Sequence, residues 1–217
     1  MGPLAYATDY VPEDEPLIAA RMNAAELGGT EPVEAAVGAA LRFLACAVGA
    51  RTAVEIGTGC GSSGIWLLRG MRPGGTLTSV DLEPEYQRMA RKAFGHAGFA
   101  QSQCRLILGR ALDVLPRLSD GTYDMVFCDA DPLDYPDYLI AALRLLRPGG
   151  VVAFNNAVPV QAGSEVTGGA AADDAAFDDM AAADAADVAE QVRSDERLVP
   201  LLVPLGNGLL AAVKKGE

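Results

Sequence analysis

The stretch Glu55-Ile56-Gly57-Thr58-Gly59-Cys60-Gly61-Ser62-Ser63-Gly64 holds the residue types best suited to gripping a ligand. It follows a short apolar run, Ala53 to Ile56, and opens a helical pattern from Ser63 to Gly70. Glycines at such a strand-to-helix corner let the backbone turn sharply and approach a ligand closely. N–H groups at the start of the next helix can then hold an anionic group. Further on, Thr78-Ser79-Val80-Asp81 places an acid at the end of the next predicted strand. A carboxylate there can accept hydrogen bonds from both hydroxyls of a ribose. The plainer reading of the loop alone is a corner with no ligand, and Asp81 in register argues against it.

The spacing of the glycines separates one adenosine ligand from another. The dinucleotide fingerprint is Gly-x-Gly-x-x-Gly, and Ser62 occupies its third glycine position. Here the third glycine comes one residue early, as Gly57-Thr58-Gly59-Cys60-Gly61, with Glu55 two residues before the first. That arrangement resembles the first motif of S-adenosylmethionine-dependent methyltransferases, whose loop faces an amino-acid moiety rather than a pyrophosphate. A nicotinamide-dependent oxidoreductase also fails for want of a Tyr-x-x-x-Lys pair, since Ala142 stands four residues after Tyr138.

Two downstream stretches narrow the resemblance. Tyr123-Asp124-Met125-Val126-Phe127-Cys128-Asp129-Ala130-Asp131 and Leu146-Arg147-Pro148-Gly149-Gly150-Val151-Val152 are similar to those of the cation-dependent O-methyltransferases, the catechol and caffeoyl-coenzyme A enzymes and their small bacterial relatives. Asp129-Ala130-Asp131-Pro132 resembles an actinobacterial branch. The resemblance runs from about Gly28 to the C-terminus. It implies methyl transfer from S-adenosylmethionine to a hydroxyl of a small aromatic acceptor, by a homodimer. It implies that Val33 touches the cofactor, and that Glu55, Gly57, Thr58, Gly59 and Ser63 surround its methionine part. Asp81 and Leu82 would hold ribose and adenine, and Arg110 and Ala111 would edge the adenine ring. Asp131 would sit near the sulfonium, and Asp129 would face the substrate or a metal.

The chain departs from that family pattern in two places. The family holds a magnesium-type cation with an Asp after the fourth strand and an Asp-Asn pair after the fifth. The matching positions are Asp129, Asn155 and Asn156. Hard cations prefer anionic oxygen ligands, so one amide in place of a carboxylate predicts weak or absent metal dependence. The family's lysine, which takes the acceptor's proton, is replaced by Pro132. Asp129 is the remaining candidate base, provided burial raises its pKa. A rival reading is a protein that binds S-adenosylmethionine with lost or attenuated catalysis.

Positioning these residues requires alternating strands and helices. Helical patterns cover Leu17–Leu27, ended by Gly28-Gly29, and Val33–Val48, with Pro32 at its start. Strands are predicted at Ala53–Ile56, Thr76–Val80, Arg105–Leu108, Tyr123–Cys128 and Val151–Phe154, with helices between them. Such alternation predicts a parallel sheet covered on both faces. An acidic surface helix is read from about Asp174 to Val192. Leu198–Pro204 and Leu209–Lys214 flank Gly206-Asn207-Gly208, a hairpin signal. The fold class is therefore α/β, a Rossmann-like, doubly wound, seven-stranded sheet with an antiparallel final strand and N-terminal helices. Residues 1–217 read as one domain, with a helical extension at 1–50 and the cofactor-binding core at 51–217.

The bulk properties agree. A formal charge of −12 argues against a nucleic-acid partner. No apolar run reaches the ~18 residues of a membrane helix, and the start of the chain lacks a secretion-signal layout. The four cysteines form no Cys-x-x-Cys pair, which fits reduced thiols and a cytosolic setting. His96, the only histidine, reads as a surface residue, Trp66 as packing against the sheet, and Cys60 as a space-filler in the loop. Tyr135 and Tyr138 read either as an aromatic pocket wall or as helix packing.

Overall fold

A computed structural model describes residues 6, 8, 10–158 and 186–216. Two helices come first, α1 (Glu15–Leu27) and α2 (Ala35–Ala47), followed by β1 (Thr52–Ile56) and α3 (Ser62–Gly70). The chain continues through β2 (Thr76–Asp81), α4 (Pro84–His96), β3 (Cys104–Leu108) and the single turn α5 (Ala111–Val114). Next come β4 (Tyr123–Cys128), α6 (Tyr135–Leu145) and β5 (Leu146–Phe154). Helical residues 186–194 precede the hairpin β6 (Leu198–Val203) and β7 (Leu209–Lys214).

All seven strands form one sheet in the order β3-β2-β1-β4-β5-β7-β6. The first five are mutually parallel, while β7 runs antiparallel to both of its neighbours. The chain leaves β1 in one direction toward β3 and returns to β4 on β1's other side. That reversal opens a crevice between the carboxyl ends of β1 and β4, where ligands bind in sheets of this kind. Alternation along each strand supplies both cores. Met125 and Phe127 face the helices α1 to α4, whereas Val126 and Cys128 face α6 and residues 186–194.

The differences from the sequence reading have local causes. The second helix starts at Ala35, not Val33, because Glu34 is extended (φ −61°, ψ 152°) and Val33 O accepts a hydrogen bond from Arg21 Nη2 at 2.9 Å. Pro32 and Val33 thus belong to a connecting segment, free to line the crevice. β5 begins at Leu146 rather than Val151, with a register shift opposite Tyr123 to Met125. Arg147, inside that early part, pairs with Asp124 at 2.6 Å. The acidic helix read from Asp174 lies partly outside the described residues. Its described end is amphipathic, with Val188 and Val192 buried in the second core.

Trp66 on α3 is fully buried and presses on α2 as well as joining the core beneath it. A Cβ at Gly38 of α2 would come within 2.2 Å of Trp66 Nε1. Alanine in place of a mid-helix glycine gains about 1 kcal/mol in propensity, but overpacking against a rigid buried ring costs about 1–3 kcal/mol. Gly38→Ala is therefore expected to lower the midpoint of thermal unfolding, and an equal or higher midpoint would show that the ring can move aside.

Candidate active site

The corner after β1 rests on one glycine. Gly57 has φ +91°, and a Cβ there would lie 2.0 Å from the carbonyl oxygen of Asp129. Two hydrogen bonds extend the parallel ladder past the strand ends: Gly57 N donates to Val80 O at 2.9 Å, and Asp129 N to Ile56 O at 2.8 Å. The loop thus lies close across the tips of β2 and β4 and delivers the chain into α3.

Asp81, at the tip of β2, closes the loop from the other side. Its Oδ2 accepts from Gly59 N and its Oδ1 from Glu83 N, each at 2.9 Å. Each carboxylate oxygen has lone pairs left for a ligand.

A cavity of about 660 Å³ opens above this corner. Gly57, Thr58, Gly59 and Ser63 form its floor, and Asp81, Leu82, Arg110 and Ala111 one wall. Asp129, Asp131 and Asn156 lie across from them, and Val33 reaches in from the N-terminal segment. Twelve of the fourteen residues singled out from the sequence therefore meet at one cavity. Glu55 and Asn155 stand behind the lining.

Glu55 is fully buried on β1. Its Oε2 accepts from Ser79 Oγ at 2.5 Å, Thr58 Oγ1 lies 2.7 Å from that hydroxyl, and Glu55 Oε1 has no partner. Burial raises its pKa from 4.5 to about 8, against the lowering effect of the Ser79 and Ser63 hydroxyls. Glu55 itself does not line the cavity; it is joined through Ser79 to Thr58, which does.

Asn155 also stands behind the cavity lining. Its Nδ2 donates to Asp129 Oδ1 at 2.9 Å, and its own carbonyl accepts from Tyr135 Oη at 2.8 Å. Asp129 opens to the cavity yet lies deep in the protein, and burial pushes its pKa up to about 6 despite that amide. Asn156 has φ +51°, a left-handed conformation that Asn tolerates better than most residues. Tyr135 is packing, buried against Phe154 with ring centroids 5.2 Å apart, whereas Tyr138 lines the cavity. Asp124, in the same motif as Asp129, serves the opposite end of the sheet. Burial opposes its ionisation, but the Arg51 and Thr52 N–H groups and Arg147 outweigh it and hold the pKa below the usual range.

Sequence reasoning missed Ser62 and Tyr86. Ser62 Oγ is buried without a partner in the cavity lining. Tyr86 Oη donates to Gly28 O at 2.9 Å and tethers the segment that carries Val33. Ser62 could have been read from its place at the helix start, but nothing local marks Tyr86. His96 is half-exposed, 3.4 Å from Glu15. The Cys60 thiol is pushed up by burial and then by Asp81 and Glu85, which favours its protonated form.

A sheet of this order, with a glycine corner and a carboxylate one strand over, defines the Rossmann-like methyltransferase class. The O-methyltransferase family model matches residues 12–215, and the chain belongs to that family. A protein of Mycobacterium avium assigned as an O-methyltransferase is 48% identical over 211 residues, covering 97% of this chain and 90% of its own length. The O-methyltransferase TomG from Streptomyces achromogenes, involved in tomaymycin synthesis and solved with S-adenosylmethionine, is 30% identical, with TM-score 0.81 and 98% and 95% of the two chains covered. An O-methyltransferase from Bacillus cereus solved with S-adenosylhomocysteine is 26% identical, with TM-score 0.80 and coverages of 97% and 96%.

The Glu55 environment carries a pH prediction. In the unfolded chain its carboxyl titrates near 4.5, and in the folded chain near 8. Between those values the folded state holds a proton that the unfolded state has lost, so stability falls as pH rises through that window. Glu55→Gln removes the titration. Denaturant unfolding from pH 5 to 9 should show a flatter profile for the variant and a relative gain at the alkaline end. Parallel profiles would mean that Glu55 is ionised in the folded chain.

Proposed function

We propose that this chain transfers a methyl group from S-adenosylmethionine to a hydroxyl of a small aromatic acceptor, with Asp129 receiving the hydroxyl's proton. One observation carries the reading: Asp81 and the Gly57 corner share a cavity that runs on to Asp129. The residues suit the ligand. Asp81 retains lone pairs for two ribose hydroxyls, and Ser62 Oγ, buried and unpartnered at the start of α3, offers a hydrogen bond to an amino-acid end. Leu82, Arg110 and Ala111 would flank the base, and Asp131 would lie near the sulfonium. When bound, S-adenosylmethionine supplies an electrophilic methyl group on a cationic sulfur.

The chain's own residues do the rest. The loop and Asp81 fix the donor end, so the acceptor hydroxyl need only be held in line with the methyl group, and alignment of this kind lowers the barrier substantially. Asp129, with its raised pKa, can take the proton near neutral pH, and Asn155 holds its carboxylate in one orientation. Tyr138 offers an aromatic wall.

The donor set does not fit a hard divalent cation. Asp129 is the one carboxylate among Asp129, Asn155 and Asn156, and its Oδ1 already accepts the Asn155 amide. The second reading, cofactor binding without turnover, draws on Pro132 standing where the family carries a basic side chain.

The N-terminal segment and the α/β core act as a single unit, since both line the cavity. Among the described residues no helix is long and apolar enough to cross a membrane. With −12 charge and buried, protonated thiols at Cys104 and Cys128, a cytosolic protein acting on small molecules is the reading we adopt, without nucleic-acid or membrane partners.

Calorimetry and a methyl-transfer assay test this together. Asp81→Ala should weaken S-adenosylmethionine binding roughly 10- to 100-fold, as expected for hydrogen bonds to a charged group worth about 1.5–3 kcal/mol. Asp129→Asn should bind the cofactor normally and lose about 10²–10⁴ in kcat. Wild-type turnover should survive a strong chelator. Activity that collapses on chelation and returns with magnesium would refute the metal-free route, and cofactor binding with no product from any catechol-type acceptor would favour the second reading.

A homodimer is supported by the outer strand β6. It is a sheet edge with Val199, Leu201 and Leu202 exposed beside Val213, and bare apolar edges are usually covered. Light scattering should give twice the chain mass, and Leu201→Lys should yield monomer; a monomeric wild-type protein would remove this part.

A further inference from the structure

The connection between α1 and α2 crosses the glycine corner. Gly29 to Val33 all line the cavity, and Thr30 Oγ1 stands 3.1 Å from the place where a Cβ on Gly59 would lie. Thr30 thus rests on the same loop residue whose N–H donates to Asp81. A ligand on the floor formed by Gly57 to Gly59 is therefore bounded on one side by this connection.

The connection is held at its two ends and little between them. At the far end Val33 is buried in the core, and its carbonyl accepts from Arg21 Nη2. At the near end Tyr86 Oη, on the first turns of α4 just after Asp81, donates to Gly28 O at 2.9 Å. Among the described residues, no backbone hydrogen bond joins Gly29, Thr30, Glu31 or Pro32 to another part of the chain. Gly28, Gly29 and Glu31 are exposed. Segments with so few backbone hydrogen bonds and so little burial open at low free-energy cost.

Gly28 is the point of articulation. Its backbone, at φ +68° and ψ 175°, lies in a region open essentially to glycine alone. A Cβ there would meet nothing within 4 Å, so the docked connection depends on that conformation and not on the space around it. Gly29 fits closely under the latch, since a Cβ there would come within 2.7 Å of Tyr86 Oη.

We infer that Gly28 to Pro32 form a strap over the cofactor floor, latched by Tyr86, and that S-adenosylmethionine enters and S-adenosylhomocysteine leaves when this strap lifts. Tyr86 is thereby a positioning residue that acts through the strap. The inference rests on the methyl-transfer reading for the identity of the ligand. Because the latch joins protein to protein, it holds the strap with or without a ligand and slows entry and exit alike. Binding that waits on a conformational change has a lowered association rate, and product release through such a step can set turnover.

Two variants loosen the latch by different routes. Tyr86→Phe deletes the donated hydrogen bond and keeps the ring. Gly28→Ala, at a residue outside the cavity lining, makes the docked backbone costly and leaves the lifted one free of that cost. Association and dissociation of radiolabelled S-adenosylhomocysteine are followed by rapid filtration, and the equilibrium constant is measured by calorimetry. In both variants the two rates should rise together, by about 2- to 10-fold in Tyr86→Phe, the loss of one neutral hydrogen bond, and by about tenfold or more in Gly28→Ala. The equilibrium constant should move less than either rate. Damage to the site would instead quicken dissociation and slow association, so the paired rise separates gating from a merely structural role.

Unchanged rates in either variant, or faster dissociation without faster association, overturns the inference and leaves methyl transfer standing. A wild-type protein that takes up no S-adenosylhomocysteine overturns the methyl-transfer reading, and the inference with it.

Discussion

The loop after β1 can cross the top of the sheet only because position 57 carries no side chain. The Asp129 carbonyl occupies the place where a Cβ would stand, so the backbones that follow β1 and β4 touch. This contact sits at the point where the winding of the sheet reverses, and it brings the loop, the tip of β2 and the Asp129 segment to one cavity. A larger residue at 57 would push β1 and β4 apart at their ends and misplace the groups on both. The αL-like φ adds a second reason for glycine, but the steric conflict is with backbone and cannot be relieved by a rotamer change.

Around that contact the polar groups form two layers. The outer one, Asp81 with the Gly59 and Glu83 N–H groups, faces the cavity and holds the loop in shape before any ligand arrives. The inner one, Glu55 with Ser79 and Thr58, lies behind it in the protein interior. A buried acid with one unpartnered oxygen is costly if charged, and burial keeps Glu55 protonated to about pH 8. The inner layer therefore supports Thr58 without placing a full charge under the cofactor floor. Asn155 does for Asp129 what Ser79 does for Glu55, fixing an acid's orientation from behind. In both cases the residue that touches the cavity is positioned by one that does not.

Much of this was legible in the sequence, for identifiable reasons. Strand–helix alternation and the glycine corner are local patterns, and they located every strand of the sheet, including the terminal hairpin with its antiparallel β7. The family resemblance rested on contiguous motifs. What could not be read were effects that act across the chain. Val33 leaves its predicted helix because Arg21, twelve residues earlier in the chain, donates to its carbonyl. Glu55 carries the family's residue type, yet strand alternation turns it toward the core, and Asn155, the amide that replaces a family carboxylate, donates to Asp129. Tyr86 contributes through a hydrogen bond to Gly28, a partnership that no spacing rule encodes. The acidic surface helix read from about Asp174 carries, in its described end, two valines that complete the second core.

The central claim is that the glycine corner and Asp81 together hold an adenosyl group with its sulfur directed toward Asp129. A crystal structure of the protein with S-adenosylhomocysteine tests this most directly. The account predicts both ribose hydroxyls within hydrogen-bond reach of the Asp81 carboxylate and the amino-acid end beside Ser62 and Ser63. The sulfur should lie on the Asp129 side of the cavity. A nucleoside seated elsewhere, or a ribose that turns away from Asp81, would contradict it.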